Sequence, residues 1–328
     1  GIGVRPSCKG PILTLFMIIV LAGAATACAP WRRPAPQARR SQPNDFQEVW
    51  AAFDQAAVMQ HLAELTSPAY TGRAVGSEGE AKAAAYIAAQ LASFGLRPWR
   101  EIGLSGWEQG FSVADSRLEG HNIAGVIEGS SKQWLLLAAH YDHLGIQDGV
   151  LYPGADDNAA AVAISLEIAR CLAQCSQPPL HNLAFVFLSG EEENLSGSRA
   201  LAQQLREQGL AGRCRVVNLD MLGGTGGNSL DVWREPSQPS GAGLARQVMQ
   251  AIKQAGLKTK SVRRRFAPVD SRAFARLGIP SVTLSWAYEA RYHPYRHQAS
   301  DTVEHLRPEL LAKAARGVFH VVWVLSHS

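Results

Sequence analysis

Histidines and carboxylates gather in four short segments of the chain, residues 137–143, 153–158, 188–193 and 217–221. Three of these segments close apolar runs, and one forms a turn before an alanine-rich stretch. Imidazole and carboxylate groups without thiolates are typical ligands of zinc, or of a similar first-row ion, in a hydrolytic site. The residue types therefore predict metal-assisted hydrolysis, provided that the fold brings the segments together.

The first segment pairs His140 with Asp142 at the end of an apolar run. Residues two apart on an extended chain project to the same side. This spacing allows His140 to bind a metal while Asp142 holds its other ring nitrogen and fixes the tautomer. Taken alone, the pair fits a hydrogen-bonded surface histidine equally well.

The acids of the other segments each have an ordinary structural interpretation. Asp156 stands at a helix start, where acids are commonly caps, and the run Glu191, Glu192 and Glu193 could simply be solvated. Adjacent like charges at a strand end would nevertheless gain from a cation. Asp220 ends a buried run, which is costly for a carboxylate unless it is paired or bound to a metal.

A late segment, residues 292–302, adds histidines in a loop before the last helix. His297 is followed four residues later by Asp301 and Thr302, whereas His293 is not followed by such a pair. This segment therefore offers a late imidazole ligand to the candidate site.

The apolar pattern predicts the elements that must position these groups. Buried strands are predicted at 123–127, 134–139, 183–188, 216–219 and 281–284, and helices at 48–65, 80–94, 158–172, 197–208, 243–255, 271–276 and 308–325. Alternation of strands and helices indicates an α/β fold, a three-layer sandwich with a mostly parallel central β-sheet flanked by helices. Ligands bind at the carboxyl ends of the strands in such sheets, where the acids and histidines fall.

The N-terminus has the order of a secretory signal. Arg5 and Lys9 precede the apolar run 12–22, and small residues lead to Cys28. We expect a signal peptide over 1–27, a flexible tether over 28–45 and a peptidase-type domain over 46–328. A cysteine after small residues resembles a bacterial lipoprotein processing site, which predicts a periplasmic or cell-surface lipoprotein anchored only through Cys28. Cleavage after Ala27 to give a secreted soluble protein is the alternative.

The net charge and the cysteines indicate which partners and which covalent bonds to expect. Removal of Arg5 and Lys9 leaves 30 of the 32 basic residues against 28 acidic ones, a balance too small to favour nucleic acid as a partner. Cys171 and Cys175 are four residues apart on a predicted helix. They could form a disulfide in an oxidising compartment or remain buried thiols, as could Cys214.

The motifs together resemble the M28 family of zinc aminopeptidases from about residue 60 to residue 310. The matching stretches are HLAELTSPAYTGRAVGSEGEAKAAAYIAAQLASFGL, AAHYDHLG, PGADDNAAA, SGEEENLSGSRA, NLDMLG, FARLGIP and HQASDTVEHL. Their order and spacing are specific, although each motif alone is modest. The resemblance implies a peptide substrate that is cleaved at its N-terminal peptide bond.

The resemblance also assigns roles to particular residues. His140 and Asp220 would bind one zinc ion, Glu192 and His297 a second, and Asp157 would bridge both through a carboxylate next to a cis bond to Asn158. Glu191 would be the general base and Asp142 the partner of His140. In the family an Asp-Thr pair follows the ligand histidine by four residues, so His297 would be the ligand, and His293 and His143 would not bind metal. Three ligand carboxylates against two Zn²⁺ ions leave one positive charge. This charge favours a bridging hydroxide over water, because metal binding lowers the pKa of water. Glu191 would take the proton of this water and pass it to the leaving amine.

Two alternatives remain. A glutaminyl-cyclase-like enzyme would share the fold and much of the ligand set but use one zinc ion. A non-catalytic binding lipoprotein could use the same scaffold, although every ligand and base position here is filled.

Overall fold

The computed structural model describes residues 46–262 and 268–328. The predicted signal, the tether and Cys28 lie outside the described residues. The described part belongs to one compact unit. No helix in it is long and apolar enough to cross a bilayer.

Eight α-helices and eleven strands make up this part. The helices are α1 Phe46–Trp50, α2 Gln55–Leu65, α3 Glu78–Ser93, α4 Ala160–Ala173, α5 Ser196–Glu207, α6 Gly241–Gln254, α7 Ser271–Arg276 and α8 Pro308–His327. The strands are β1 Arg97–Pro98, β2 Glu108–Ser112, β3 Glu119–Ile127, β4 Trp134–His140, β5 Gly145–Gln147, β6 Val150–Tyr152, β7 Asn182–Leu188, β8 Cys214–Leu219, β9 Leu230–Trp233, β10 Ser261–Val262 and β11 Ser281–Trp286.

One nine-stranded sheet organises the molecule, in the order β1-β3-β7-β4-β8-β11-β9-β10, with β2 paired to β3. The central strands β7, β4, β8 and β11 are parallel. Outside them, β3 joins β7 and β9 joins β11 in antiparallel fashion, and the β2–β3 pair is antiparallel. A short connection between β2 and β3 permits only this direction. The predicted parallel strands therefore form the centre of the sheet, and antiparallel pairs extend the sheet on both sides.

Helices cover both faces of the sheet, as the predicted three-layer sandwich requires. Along β4, Leu135 and Leu137 pack into a core shared with α2, α3, α4, α6 and α8. Leu136 and Ala138 point to the opposite core, which contains residues of α5 and α7. Alternate side chains of one strand thus serve two apolar layers. This explains why the central strands read as continuous apolar runs.

The predicted helices and strands are present, but one predicted helix is in fact two helices. The predicted helix 48–65 is divided into α1 and α2, because Asp54 has an extended backbone and its side chain accepts the N–H of Ala56 at 2.8 Å. An N-cap of this kind starts a new helix. Cys171 and Cys214 are buried thiols, and no disulfide joins Cys171 to Cys175 in the described structure.

Candidate metal centre

Three of the predicted segments meet because their strands are adjacent and parallel. His140 ends β4, the Glu191–Glu192 pair follows β7, and Asp220 follows β8. The register pairs His140 with Leu188 of β7, and its neighbour Ala139 with Leu219 of β8. The carboxyl ends of all three strands therefore lie level at one edge of the sheet.

Asp157 reaches this edge from an irregular turn, Ala155–Ala159, that precedes α4. The bond from Asp157 to Asn158 is cis, as the resemblance implies. The side chain of Asn158 donates to the carbonyl of Leu219 at 2.9 Å and accepts the N–H of Met221 at 3.1 Å. These two hydrogen bonds fasten the turn to the strand end that carries Asp220.

The backbone of this turn leaves room only for glycine at its start. Gly154 has φ +59°, and a Cβ there would lie 2.3 Å from the carbonyl oxygen of Asp157 and 2.5 Å from the ring of His143. Glycine at position 154 therefore allows the chain to fold tightly over this edge of the sheet.

The carboxylate of Asp157 lies between two imidazoles. Its Oδ1 is 3.3 Å from Nε2 of His140, and its Oδ2 is 3.2 Å from Nε2 of His297. The same His140 atom is 3.8 Å from Asp220, and the same His297 atom is 3.2 Å from Glu192. One carboxylate thus faces both halves of the predicted ligand set.

These separations fit a metal better than hydrogen bonds. Nε2 of His140 and Nε2 of His297 are buried atoms without a hydrogen-bond partner in the described structure. Two ligand atoms that are each about 2.0–2.1 Å from a tetrahedral zinc ion are about 3.3 Å apart. Three of the four nitrogen–oxygen distances, at 3.2–3.3 Å, are close to this value, and the distance from His140 to Asp220 is longer at 3.8 Å. The five predicted ligands therefore have a donor set and a spacing suited to zinc.

Asp142 contacts both His140 and the turn that carries the two glutamates. Nδ1 of His140 lies 3.2 Å from the backbone carbonyl of Asp142 and 3.5 Å from its carboxylate. The two carboxylate oxygens accept the backbone N–H groups of Glu191 and Glu192, at 3.2 Å each. Asp142 is fully buried. It therefore orients the ring of His140 and the turn of the two glutamates together.

The adjacent glutamates have opposite electrostatic environments. Burial raises the pKa of Glu191 well above its usual range, and the charges of Asp220, Asp270 and Glu192 raise it further against the opposing effect of His140. Burial also raises the pKa of Glu192, but the adjacent rings of His143 and His297 outweigh it and lower this pKa to about 2. The two neighbours thus differ: the pKa of Glu191 is shifted upward, whereas the lowered pKa of Glu192 favours the carboxylate that a cation needs.

His143 lies closer to the centre than the sequence suggests. Its Nδ1 is 3.1 Å from Glu192, its Nε2 is buried without a hydrogen-bond partner, and its ring clusters with Asp157 and Glu192. Both His143 and His297 therefore face Glu192. The assignment of His297 as the ligand and His143 as a non-ligand stays a prediction.

His293, the other predicted non-ligand, has both ring nitrogens occupied. Nδ1 bonds to Asp156, and Nε2 lies 2.7 Å from the carbonyl of Trp286. Burial lowers the pKa of His293, but Asp156 outweighs it and raises this pKa to about 9. A protonated ring donates to both partners and has no lone pair for a metal. Asp156 also accepts the N–H groups of Gly223 and Gly224, so it ties loops together and is not the simple helix cap that was expected.

Two further residues hold the centre, and sequence reasoning assigned them no role. Asp301 accepts the N–H of Asp156 at 2.9 Å and of Asp157 at 3.1 Å. Arg73 is fully buried and donates to the carbonyls of Leu65, Tyr141, Pro153 and Gly154. Both residues stand in the motif stretches that carry the resemblance. Their roles depend on contacts between segments far apart in sequence.

The fold is that of known zinc aminopeptidases and of a related cyclase. It resembles the zinc aminopeptidase BSAP of Bacillus subtilis with a TM-score of 0.69 and 18% identity, over 84% of this chain and 96% of that one. It also resembles a glutaminyl cyclase of Bacteroides thetaiotaomicron, with a TM-score of 0.67 and 22% identity, over 83% of this chain and 98% of that one.

The family follows from the sequence itself. The sequence pattern of Peptidase family M28 matches residues 122–322, so the chain belongs to this family. Among curated proteins, it is 30% identical over 228 residues to a protein of Mycobacterium tuberculosis that is described as a probable lipoprotein aminopeptidase, LpqL. The match covers 61% of this chain and 44% of that protein. The chain spans about half the length of the curated relatives it matches.

Proposed function

We propose that the protein is a zinc-dependent aminopeptidase that removes N-terminal residues from peptides with two metal ions and a glutamate base. The observation that carries this proposal is the position of Asp157, whose two oxygens face the unpartnered nitrogens of His140 and His297 at 3.3 and 3.2 Å. A carboxylate shared in this way suits a pair of ions rather than one. Membership of a peptidase family supplies the substrate class.

Each ion would have its own ligands besides the shared one. His140 and Asp220 would hold the first ion, and Glu192 and His297 the second. Zinc in such a pair supplies a Lewis acid for the scissile carbonyl and lowers the pKa of the attacking water. The chain's own contribution is to fix the five ligands, chiefly through Asp142, Asn158 and Asp301.

Glu191 is the proton carrier in this proposal. Its carboxylate is buried, it lies in a cluster with His140 and Asp220, and it lines the cavity next to the centre. In the free carboxylate state it takes the proton of the attacking water. It then returns this proton to the amine that leaves when the peptide bond breaks. Asp142 positions Glu191 by accepting its backbone N–H.

Metal analysis combined with activity tests this function. Gently purified protein should contain about two zinc equivalents and should hydrolyse aminoacyl chromogenic substrates. A chelator should abolish turnover, and added zinc should restore it. Metal-free protein with undiminished turnover would contradict the proposal.

A glutaminyl-cyclase-like activity is the second candidate, because the fold resembles a glutaminyl cyclase as well as the zinc aminopeptidase. This activity would use one zinc ion and would cyclise an N-terminal glutamine. A reproducible single zinc equivalent, unchanged by added zinc, together with cyclisation of a Gln-peptide would favour it.

We also propose that the protein is exported and anchored by lipid on Cys28. The charged, apolar and small-residue order before Cys28 supports this proposal, as does the description of the mycobacterial relative as a lipoprotein. In a bacterial host supplied with labelled palmitate, the wild type should take up label and Cys28→Ser should not. Unlabelled, fully soluble wild type would instead indicate cleavage after Ala27 without lipid.

A further inference from the structure

A cavity of about 400 Å³ opens directly beside the metal centre. Glu191, Glu192 and His297 form one side of it. Its volume falls in the range of about 300–1,000 Å³ that is common for small-molecule sites. A peptide whose scissile bond lies at Glu191 would therefore place its nearest groups in this cavity.

Arginines dominate the rest of the lining. Arg199 comes from the first turn of α5, Arg272 and Arg276 from α7, and Arg296 from the loop that carries His297. Three separate elements thus place arginines around one cavity. Such convergence is unlike the mixed charge of an ordinary solvated surface.

The protein's own carboxylates balance only part of this charge. Arg272 lies 3.0 Å from Glu235, and Arg296 lies 3.3 Å from Asp157, a carboxylate already committed to the metal centre. Arg199 donates to the neutral amide of Asn194 at 3.0 Å. Within residues 46–262 and 268–328, neither Arg199 nor Arg276 has an ion pair with a carboxylate.

We propose that this arginine-lined cavity binds a carboxylate of the peptide substrate, so that the enzyme prefers short peptides with a carboxylate near the scissile bond. The inference rests on the proposed aminopeptidase function and specifies its substrate class. Guanidinium groups recognise carboxylates through paired, charge-assisted hydrogen bonds. The carboxylate can come from an acidic side chain at the first or second residue, or from the C-terminus of a dipeptide, because all three lie near the scissile bond.

Peptides matched in shape but not in charge distinguish these sources. The full-length zinc enzyme is assayed with Glu-Ala-amide against Gln-Ala-amide, Ala-Glu-amide against Ala-Gln-amide, and Ala-Ala against Ala-Ala-amide. In at least one pair, the member with the carboxylate should have kcat/KM higher on the order of 10–100-fold, the range expected for hydrogen bonds to charged groups. The pair that responds identifies the source.

Variants connect the preference to the cavity. Arg276→Gln and Arg199→Gln should each reduce the kcat/KM ratio of the responding pair toward one. Arg206→Gln is the matched control, because Arg206 is exposed on the same helix as Arg199, likewise donates to a neutral amide, at 2.7 Å, and does not line the cavity. It should keep the full ratio.

The two levels of the proposal fail in different ways. Hydrolysis of all peptides with no difference within any pair, or a ratio that Arg276→Gln and Arg199→Gln leave intact, would overturn carboxylate selection while aminopeptidase activity stands. Equal loss of the ratio in Arg206→Gln would also overturn it, since general charge would then suffice. Absence of hydrolysis of every peptide would overturn the proposed function and this inference with it.

Discussion

The two halves of the candidate centre are built differently. His140 is at the end of a central strand and is almost fully buried, at 1% exposure. His297 stands in a loop with φ +57°, and 39% of its side chain is exposed. The first half inherits its position from sheet register, whereas the second depends on how a loop is held. Precise placement of one ligand therefore needs contacts that the sheet does not provide.

Contacts on both sides of His297 provide this placement. His293, four residues earlier, is locked between Asp156 and the carbonyl of Trp286. Asp301, four residues later, accepts two N–H groups from the turn that carries Asp157. The loop is thus fastened to the turn that carries Asp157. Movement of either segment would change the distance between His297 and Asp157.

The most severe disruption should come from the residue shared by both halves. Asp157→Asn keeps the shape of the side chain but removes the charge that both ions would need. We expect zinc content to fall below about one equivalent, and the loss of zinc affinity to exceed the roughly 10–100-fold typical of outer-shell partners. Elemental analysis and kcat/KM measure the effect. Two retained equivalents with normal turnover would show that Asp157 bridges nothing.

A smaller, one-sided effect should separate the two histidines near Glu192. His297→Ala should lose about one zinc equivalent and leave the His140 half occupied. His143→Ala, its matched control, should keep about two, because His143 is expected to support Glu192 by a hydrogen bond at 3.1 Å. Isothermal titration of zinc into the apo-variants checks both. Loss of one equivalent from His143→Ala alone would make His143 the ligand.

The smallest effect should come from a change at His293, which holds the loop of His297 in place. His293→Ala should keep both zinc ions but leave the buried carboxylate of Asp156 without its cationic partner. The free energy of unfolding should fall by about 1–3 kcal/mol, as measured by urea denaturation. Metal loss equal to that of His297→Ala would mean that the loop register is misassigned.

The fold was largely predictable from sequence because its central strands are buried on both faces. Continuous apolar runs such as those of β4 and β7 are distinctive, and the helices between them show a helical period. The six short strands β1, β2, β5, β6, β9 and β10 do not follow from the pattern, because each has only two to five residues. The break at Asp54 was missed because its cap interaction competes with an otherwise helical apolar period.

The candidate site was predictable where ligands follow strands. His140, the run of Glu191 to Glu193 and Asp220 could be placed together because parallel strands must end together, and the family resemblance selected Glu192 from the run. The roles of Arg73 and Asp301 could not, because they depend on backbone groups up to 81 residues away for Arg73 and 145 residues away for Asp301. His143 was set aside for a similar reason, since its proximity to Glu192 is a tertiary contact across 49 residues.

The most direct test of the account is the kinetic separation of three adjacent glutamates. Glu191→Gln keeps size and hydrogen bonding but removes the basic oxygen, so zinc content should remain near two equivalents while kcat falls by about 10²–10⁴. Glu193→Gln, an exposed neighbour, should change kcat by no more than about twofold, and Glu192→Gln should lose metal. This pattern is the predicted result. A Glu191→Gln enzyme that binds zinc and turns over at a near-normal rate would contradict the central claim.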